Sequence, residues 1–368
     1  MKKLYNKILN FIKLIPILCE KIKHNIFERL KLINDKKVYE KETLTYSEQS
    51  VFEEFWKKTY GKKITNKWHL YYKSFTGKFD EKYFPQILYS TNLEFKLNPW
   101  YYANILSDKN LMDSLFGDLI VCPKTLAKKC GNHFFGLNGL PISQEDLLSE
   151  LKNAGKVVFK ITVGSSSGQG VRICDITNGV DINTGESLDK ILTGYTTDFN
   201  IQEFIEQSDA LNKIYPNCVN TFRVITYIAN NKINCAPISM RFGANGGTVD
   251  NIHAGGMTIG VNEDGILNKY AFLEFGEKFT EHPDTHLVFD GYVIPSIDKI
   301  IETAQKLHTR VPQLGMISWD FTLNKEDLPV LIEVNLRGQS VCFPQEVHGK
   351  SLFGDDTEYM IKLLKKKK

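Results

Sequence analysis

Hydrophobic and polar residues follow clear periods in the second half of the chain. TFRVITYIA, an Asn-Asn pair and KINCAPISMRF predict one β-hairpin, and GMTIGV, an Asp-Gly pair and ILNKYAF predict another. Apolar residues at helical spacing predict a helix over Asp298–Thr309, and MISWDFTL and VLIEVN predict two closing strands. Residues 206–352 are therefore interpreted as a β-rich body.

A smaller unit is predicted upstream, over residues 124–205. Ser143, with Asp146 three residues later, has the spacing of a helix N-cap, and Gly155 is taken as the end of that helix. An apolar strand at Val157–Thr162 runs into a Gly/Ser loop, and a return strand follows at Gly170–Ile176. A flexible loop at the tip of a small unit is typical of a lid.

The N-terminal part has weaker patterns. Residues 43–123 are aromatic and polar without clear periodicity and are interpreted as a mixed helical cap. In residues 1–42, apolar residues recur at helical spacing between lysines, which predicts an amphipathic helix bent near Pro16. Such a helix suits either a membrane interface or docking on its own protein. The longest apolar run, LIPILC, is too short to span a bilayer.

Composition narrows the class of protein. A chain of 368 residues that is 42% hydrophobic can form more than one globular unit. Its 7 cysteines are scattered and never spaced as C-x-x-C, which argues against a disulfide framework or a zinc site and favours a cytoplasmic protein.

Charge is unevenly distributed along the chain. Residues 1–42 and the tail, residues 353–368, are basic, while the body between them is acidic. This arrangement predicts peripheral contact with an anionic inner membrane face rather than a nucleic-acid partner.

The two closing strands carry the first candidate chemistry. Because alternate side chains of a strand share a face, Glu333 and Asn335 point one way, and Ile332 and Val334 are predicted to point into the core. Asp320 on the neighbouring strand is expected beside them. Two carboxylates and an amide, without histidine or cysteine, favour Mg²⁺. The alternative is the polar side of a half-exposed sheet.

The stretch FKITVGSSSGQGV carries the second group of candidate functional residues. A Gly/Ser loop can wrap backbone N–H groups around an anion, and Lys160 on the preceding strand adds a fixed positive charge. The loop is not a Walker A motif, because no Lys-Ser/Thr follows its last glycine. Arg223 and Arg241, on successive strands, either grip a phosphate or carboxylate or pair with nearby acids.

Taken in order, PKT, FKITVGSSSGQGV, NIQEFIEQ, NTFRVIT, MRFGANGGTVDNIHAGG, HPDT, WDF and LIEVN resemble the ATP-grasp superfamily, most closely its sugar-transfer associated group. The resemblance covers about residues 100–350. It implies an α+β ATP-grasp fold, in which two α/β subdomains clamp ATP, here with a mainly helical N-terminal extension.

The resemblance also implies site residues. Arg241 and Lys160 would serve the transferring phosphoryl group, and Asp320, Glu333 and Asn335 match the metal ligands. The implied substrate set is Arg223, Asn251, His253 and Arg337. Asn251 and His253 belong to a segment that ends in Gly255 and Gly256. The implied ATP-binding set is Lys124, Lys160, Gly164, Ser165, Ser166, Ser167, Gly168, Gly170, Gln202, Glu203, Phe204, Ile205 and Asp209.

The activity implied by the resemblance is an ATP- and Mg²⁺-dependent, ADP-forming ligase with an acyl-phosphate intermediate. Its substrate would be a small molecule or a glycan-linked group in surface polysaccharide biosynthesis. Two alternatives remain open at this point: an ATP-dependent phosphotransferase acting on a sugar hydroxyl, and a non-catalytic clamp that only holds nucleotide. The patterns say nothing about oligomeric state.

Overall fold

The computed structural model describes residues 2–164 and 170–365. The first third of the chain is helical, as predicted, and residues Thr125–Asn335 hold all the named strands of the described part. The helices of the first third are α1 Lys2–Asn34, α2 Lys36–Tyr39, α3 Tyr46–Thr59, α4 Lys67–Thr76, α5 Gln86–Leu88, a π-helical turn Tyr89–Leu93, α6 Glu94–Leu97, α7 Trp100–Leu106, a 3₁₀ turn Lys109–Leu111 and α8 Met112–Phe116.

The aromatic residues of this helical region form its core. Helix α3 begins at a capping box, in which Thr45 accepts from the Glu48 N–H and Glu48 accepts from the Thr45 N–H. It buries Phe52 and Trp56 against the body strands, in one cluster with Tyr227. The aperiodic sequence therefore reflects short helices that bury aromatic rings in several directions.

The first sheet has seven antiparallel strands in the order β3-β2-β1-β7-β4-β5-β6. Helices α9 Gln144–Glu150 and α10 Leu188–Gly194 share its hydrophobic core. The strands are β1 Thr125–Cys130, β2 His133–Phe135, β3 Pro141–Ile142, β4 Gly155–Ile161, β5 Arg172–Thr177, β6 Val180–Asp181 and β7 Phe199–Glu203.

The helix predicted at Ser143 is confirmed, but its predicted end is wrong. Ser143 Oγ accepts from the Asp146 N–H, as the spacing indicated. The helix ends at Glu150, and Leu151 is its C-cap. Gly155 instead begins β4 with a φ of 64°, so its freedom at positive φ serves the entry into the strand.

The second sheet has eight strands in the order β13-β12-β11-β10-β8-β14-β15, and β9 also pairs with β8. The strands are β8 Thr221–Ala229, β9 Lys232–Cys235, β10 Ile238–Phe242, β11 Met257–Val261, β12 Leu267–Phe272, β13 Lys278–Phe279, β14 Met316–Leu323 and β15 Pro329–Asn335. The remaining helical segments are α11 Asp209–Ile214, α12 Ile297–His308, α13 Cys342–His348, α14 Thr357–Lys365 and 3₁₀ turns Ile252–Ala254 and Gly354–Asp356.

Both predicted hairpins and both closing strands are confirmed. Asn230 and Asn231 have φ of 50° and 61°, the left-handed backbone that a tight two-residue hairpin turn requires. KINCAPISMRF forms two strands instead of one, since β9 ends before Pro237, which has no N–H to give to a ladder.

A β-bulge in the last strand changes which side chains face the core. Asp320 is paired with Glu333, but Phe321 is paired with Leu331, so Ile332 is an extra residue in β15. Ile332 consequently lines a cavity between the two sheets, together with Glu333. The prediction that Ile332 points into the core is therefore wrong, while Val334 does pack against the core.

Helix α1 continues through Pro16 and packs on α5 and the π-helical turn. It buries Glu28 and Leu32 and leaves several isoleucines and leucines exposed. Over residues 2–164 and 170–365, no helix combines the length and the apolar character needed to cross a bilayer.

Candidate functional site

A cavity of about 410 Å³ lies between the two sheets. The first sheet contributes residues of β4 and β5 and Glu203, the last residue of β7, and the segment after β7 contributes Phe204 and Ile205. The second sheet contributes residues of β8, β10, β14 and β15. The cavity therefore collects side chains that lie more than 150 positions apart in the sequence.

One part of the lining is apolar. Val158 on β4, Ile173 on β5 and the bulged Ile332 face it together with Phe204 and Ile205. The backbone of the same segment is tied to the first sheet, because the Glu203 N–H donates to the Lys124 carbonyl at 2.9 Å. The apolar part of the cavity could accommodate a flat ring that has polar groups at its edges.

Asp320 is the centre of the polar part. Its Oδ1 accepts from Arg223 Nε at 2.5 Å, and its Oδ2 accepts from Arg241 Nη2 at 3.1 Å and Asn335 Nδ2 at 3.2 Å. Burial acts to raise the pKa of Asp320, but the two guanidinium groups outweigh it and lower that pKa. Asp320 is thus held ionised by two arginines on adjacent strands.

Arg241 has further partners that the sequence did not indicate. Its Nη2 donates to Thr221 Oγ1 at 2.8 Å and lies 3.6 Å from Asp250 Oδ2. Thr221 in turn donates to Asp250. Burial raises the pKa of Asp250, and the charge of Arg241 partly offsets that rise. Asp250 stands directly before Asn251, inside a segment that carried the resemblance, but nothing in the sequence showed that it reaches Arg241.

Two lysines face Glu333. Lys109 Nζ lies 3.1 Å from Glu333 Oε1, and Lys160 on β4 is close enough for Glu333 to affect its titration. Burial lowers the pKa of Lys160 to about 8, against the attraction of Glu333 and with a further lowering by Lys109. A bond of 3.2 Å from the Lys109 N–H to the Thr162 carbonyl holds the 3₁₀ turn beside the end of β4. Sequence reasoning missed Lys109, because it lies in the poorly patterned helical region.

The charges of the polar part favour an anion. Four cationic side chains face three carboxylates there, and the excess of one positive charge attracts an anionic group. These groups are Lys109, Lys160, Arg223 and Arg241, and Asp250, Asp320 and Glu333.

The donor chemistry of β14 and β15 also fits Mg²⁺. Asp320 is paired with Glu333, and Ser318 is paired with Asn335, so two carboxylates and an amide lie at adjacent positions of two strands. In the part of the chain that the structure describes, no three His, Cys, Asp or Glu side chains are grouped around a common point. Mg²⁺ is commonly held by one or two carboxylates with substrate phosphates and water, which is what these residues offer.

The four predicted substrate residues also line the cavity. The Arg337 guanidinium lies over the Trp100 ring at 3.4 Å, donates to Asn104 and is 3.9 Å from Glu20 of α1. His253 Nδ1 lies 2.7 Å from Glu274 Oε1. A role for these residues in substrate binding stays a prediction.

The two glycines after His253 shape the segment that carries it. Gly255 has a φ of 88°, and a Cβ at Gly256 would come within 2.6 Å of the Asp250 carbonyl oxygen. The segment can therefore turn tightly only because both residues lack a side chain.

Five described residues of the predicted ATP-binding set do not line the cavity: Lys124, Gly164, Gly170, Gln202 and Asp209. Lys124 is exposed, 3.6 Å from Glu203; Gln202 is buried and donates to the Pro123 carbonyl; and Asp209 is exposed at the start of α11. Their proposed contacts with ATP stay predictions. Gly164 and Gly170 have φ of 76° and 71°, and the predictions for Ser165, Ser166, Ser167 and Gly168 lie outside the described residues.

The two sheets and the cavity between them are arranged as in the ATP-grasp fold. A family model described as sugar-transfer associated ATP-grasp matches residues 88–359. The chain therefore belongs to the sugar-transfer associated ATP-grasp family. The match confirms the family and the fold class that the ordered motifs indicated.

Solved structures of low identity are similar to the chain. N5-carboxyaminoimidazole ribonucleotide synthetase from Thermotoga maritima is 13% identical, with 66% of this chain and 45% of that chain covered and a TM-score of 0.37. VanG D-Ala:D-Ser ligase from Enterococcus faecalis is 13% identical, with 70% and 60% covered and a TM-score of 0.41. Biotin carboxylase from Campylobacter jejuni, in a β,γ-ATP complex, is 13% identical, with 77% and 48% covered and a TM-score of 0.41.

The chain spans less than two thirds of the length of each of these three proteins. No curated protein sequence matches it.

Proposed function

We propose that this protein is an ATP- and Mg²⁺-dependent, ADP-forming ligase. It would activate a carboxylate as an acyl phosphate and pass the acyl group to a nucleophile on a small molecule or a glycan-linked group, in surface polysaccharide biosynthesis. One observation carries the proposal: Lys109, Lys160, Asp320 and Glu333 line one cavity that also has an apolar part, and Lys109 pairs with Glu333. Family membership supports it.

The apolar part would hold the base of the nucleotide. Ile332, Ile173 and Phe204 line it, and the backbone around Ile205 supplies N–H and C=O groups at its edge. The Gly/Ser loop that ends at Gly170 follows the strand of Lys160, which is the position from which backbone N–H groups can wrap around phosphates. A Cβ at Gly170 would come within 2.2 Å of Ile161 Cδ1, so the loop requires glycine at this end.

The polar part would bind and orient the phosphates. A protein catalyses phosphoryl transfer mainly by positioning the reacting groups and neutralising their charge. Lys160 and Lys109 supply positive charge from one side of Glu333. Arg241, already held by Thr221 and Asp320, has a donor fork with which to bind oxygens of the transferring group.

A bound Mg²⁺ would neutralise phosphate charge next to Asp320, Glu333 and Asn335. Arg337 and His253 line the same cavity and would hold an anionic substrate group. The position of the cavity between two sheets would limit water at the reacting atoms, which protects an acyl phosphate from hydrolysis.

The test is a screen of ADP release and product mass. The protein with ATP and Mg²⁺ is incubated with amino acids and with nucleotide-activated or lipid-linked sugars, and mass spectrometry detects joined products. We expect ADP, free phosphate and a ligated product, and a loss of about 100-fold in Glu333→Ala. Glu326→Ala, in the exposed turn between β14 and β15, is the matched control and should keep full activity.

Two results would contradict the proposal. A product that carries the γ-phosphate would indicate a phosphotransferase instead. Tight ATP binding without turnover for any acceptor would indicate a nucleotide-holding clamp.

A further inference from the structure

The outward side of α1 carries an apolar stripe that the described part of the chain leaves exposed. Its members recur at intervals of three or four residues and are between 43% and 65% exposed. At about 100° per residue they lie along one side of the helix, over a length of about 27 Å. We call this set the α1 stripe: Ile15, Leu18, Ile22, Ile26, Leu30 and Ile33.

The opposite side of α1, which packs on the protein, is largely polar. Glu28 is buried there, and Lys31 Nζ pairs with Asp35 Oδ2 at 2.7 Å. Glu20 lies 3.9 Å from Arg337, so this side also reaches the lining of the cavity. A surface helix of a globular protein normally buries its apolar side. The reversed arrangement of α1 leaves the α1 stripe outside the hydrophobic core formed by the described residues.

Exposed charges on α1 have a single sign. Over residues 12–34, the exposed charged side chains are Lys13, Lys23 and Arg29, and both carboxylates, Glu20 and Glu28, lie on the side that packs on the protein. By helical spacing, Lys23 lies just outside one edge of the α1 stripe, and Arg29 lies within the stripe near its other edge. An apolar stripe with cations near its edges is typical of a helix that lies in an anionic lipid interface.

We propose that the α1 stripe docks on an anionic lipid surface, with α1 lying in the plane of the interface. The apolar side chains would enter the boundary between headgroups and acyl chains, and the cations would contact the headgroups. A second copy of this chain is a poorer occupant, because joining two α1 stripes would bring Lys23 and Arg29 of both copies together. The proposal does not depend on the activity of the cavity.

Flotation with lipid vesicles tests the docking. The full chain is mixed with phosphatidylcholine vesicles with or without phosphatidylglycerol, and the bound fraction is measured. We expect binding that requires phosphatidylglycerol, and a loss of about tenfold or more in the double variant Ile22→Asp, Ile26→Asp. Both changes are on exposed positions, so the variant should unfold at the same temperature as the unmodified protein.

A matched control replaces exposed apolar residues elsewhere. Tyr46→Asp with Val51→Asp, on α3, changes residues that are 93% and 44% exposed and should bind vesicles like the unmodified protein. A second variant, Lys23→Glu with Arg29→Glu, removes these two cations and should also bind phosphatidylglycerol vesicles more weakly. Point substitutions are preferable to removal of α1, which would uncover the side on which Leu32 is buried.

Three results would overturn the proposal. The first is equal vesicle binding by the Ile22→Asp, Ile26→Asp variant and the unmodified protein. The second is equal binding to vesicles with and without phosphatidylglycerol. The third, in sedimentation equilibrium without lipid, is a dimer that the same double variant dissociates, which would show that a second copy covers the α1 stripe.

Discussion

The two sheets that line the cavity hold their charged residues in different ways. On the second sheet, Asp320 is bonded to Arg223, Arg241 and Asn335, so its position is set by neighbouring strands. On the first sheet, Lys160 follows an apolar strand and its pKa is lowered by burial. The second sheet carries a neutralised network that contributes to folding, whereas the first sheet carries a cation at a cost in desolvation.

This difference separates residues that serve stability and function together from residues that serve function alone. A substitution in the hydrogen-bond network of Asp320 should reduce both stability and activity. A change at Lys160 should reduce activity without reducing stability.

The largest effect is expected for Asp320→Asn. Removing this charge leaves Arg223 without its carboxylate and Arg241 with only the longer pair to Asp250, so we expect a loss of about 3 kcal/mol or more in the free energy of unfolding, and no detectable ADP release. Denaturant unfolding and the ADP assay measure the two losses. Asp118→Asn breaks an exposed pair with Arg310 and should change stability by less than about 1 kcal/mol. Similar destabilisation by both variants would remove the contrast between buried network and surface pair.

The next effect is expected for Lys160→Met. Loss of this cation should reduce ADP release by about 100-fold, because Lys160 is the only cation that the described residues of the first sheet contribute to the cavity lining. Thermal unfolding should stay at the same temperature or rise, since a desolvated charge is replaced by an apolar chain of similar length. A clear fall in unfolding temperature would mean that Lys160 contributes to folding as Asp320 does.

The charge of Lys160 should also make ATP binding depend on pH, and this effect is expected to be smaller. Lys160 has a pKa of about 8 in the folded protein, so it loses its charge, and ATP binding weakens, as pH rises above about 8. Isothermal titration calorimetry on both sides of this pH should show a decrease of up to about tenfold. Lys160→Arg keeps its charge throughout this range and should lack the decrease.

The same pKa predicts the sign of a change in stability. Because the folded pKa of Lys160 lies below the ordinary lysine value of 10.5, the unfolded chain binds more protons between these two values. The free energy of unfolding contributed by Lys160 therefore rises with pH across this window. Denaturant unfolding of the unmodified protein should show this rise relative to Lys160→Met, and parallel curves for the two proteins would contradict the assignment.

The smallest effect is expected at the bulge. Ile332→Ala should weaken ATP binding by a few-fold and leave stability nearly unchanged, because Ile332 lines the cavity. Val334→Ala should instead lower the free energy of unfolding by about 1 kcal/mol, because Val334 packs on the core. Calorimetry measures ATP binding by the two variants, and denaturant unfolding measures their stability. A loss of stability in Ile332→Ala and of ATP binding in Val334→Ala would argue against the bulge.

Local patterns were sufficient to predict much of the body. The strands MISWDFTL and VLIEVN, the Asn-Asn hairpin and the Ser143 cap all appear where the sequence indicated. Each of these features depends on residues within a few positions of one another, such as a period of two or a side chain that caps the next turn. Asp320, which was expected beside Glu333 and Asn335, is paired with Glu333.

Features that depend on distant residues were beyond local patterns. Lys109 reaches Glu333 from a turn more than 200 positions earlier, and Asp250 reaches Arg241 through a loop. The bulge at Ile332 depends on how β14 and β15 pair, which alternation within one strand does not specify. The reversed polarity of α1 became visible only when its buried side was known.

The sequence by itself determined the hairpins and closing strands of the body, the family, and the residue types available for anion and metal binding. It did so because periodicity, turn residues and ordered motifs are local properties of the chain. Only the tertiary structure decided which charges meet, that Lys160 loses much of its basicity, and that the α1 stripe faces outward. Those properties depend on burial and on contacts between distant segments, which arise only when the chain is packed.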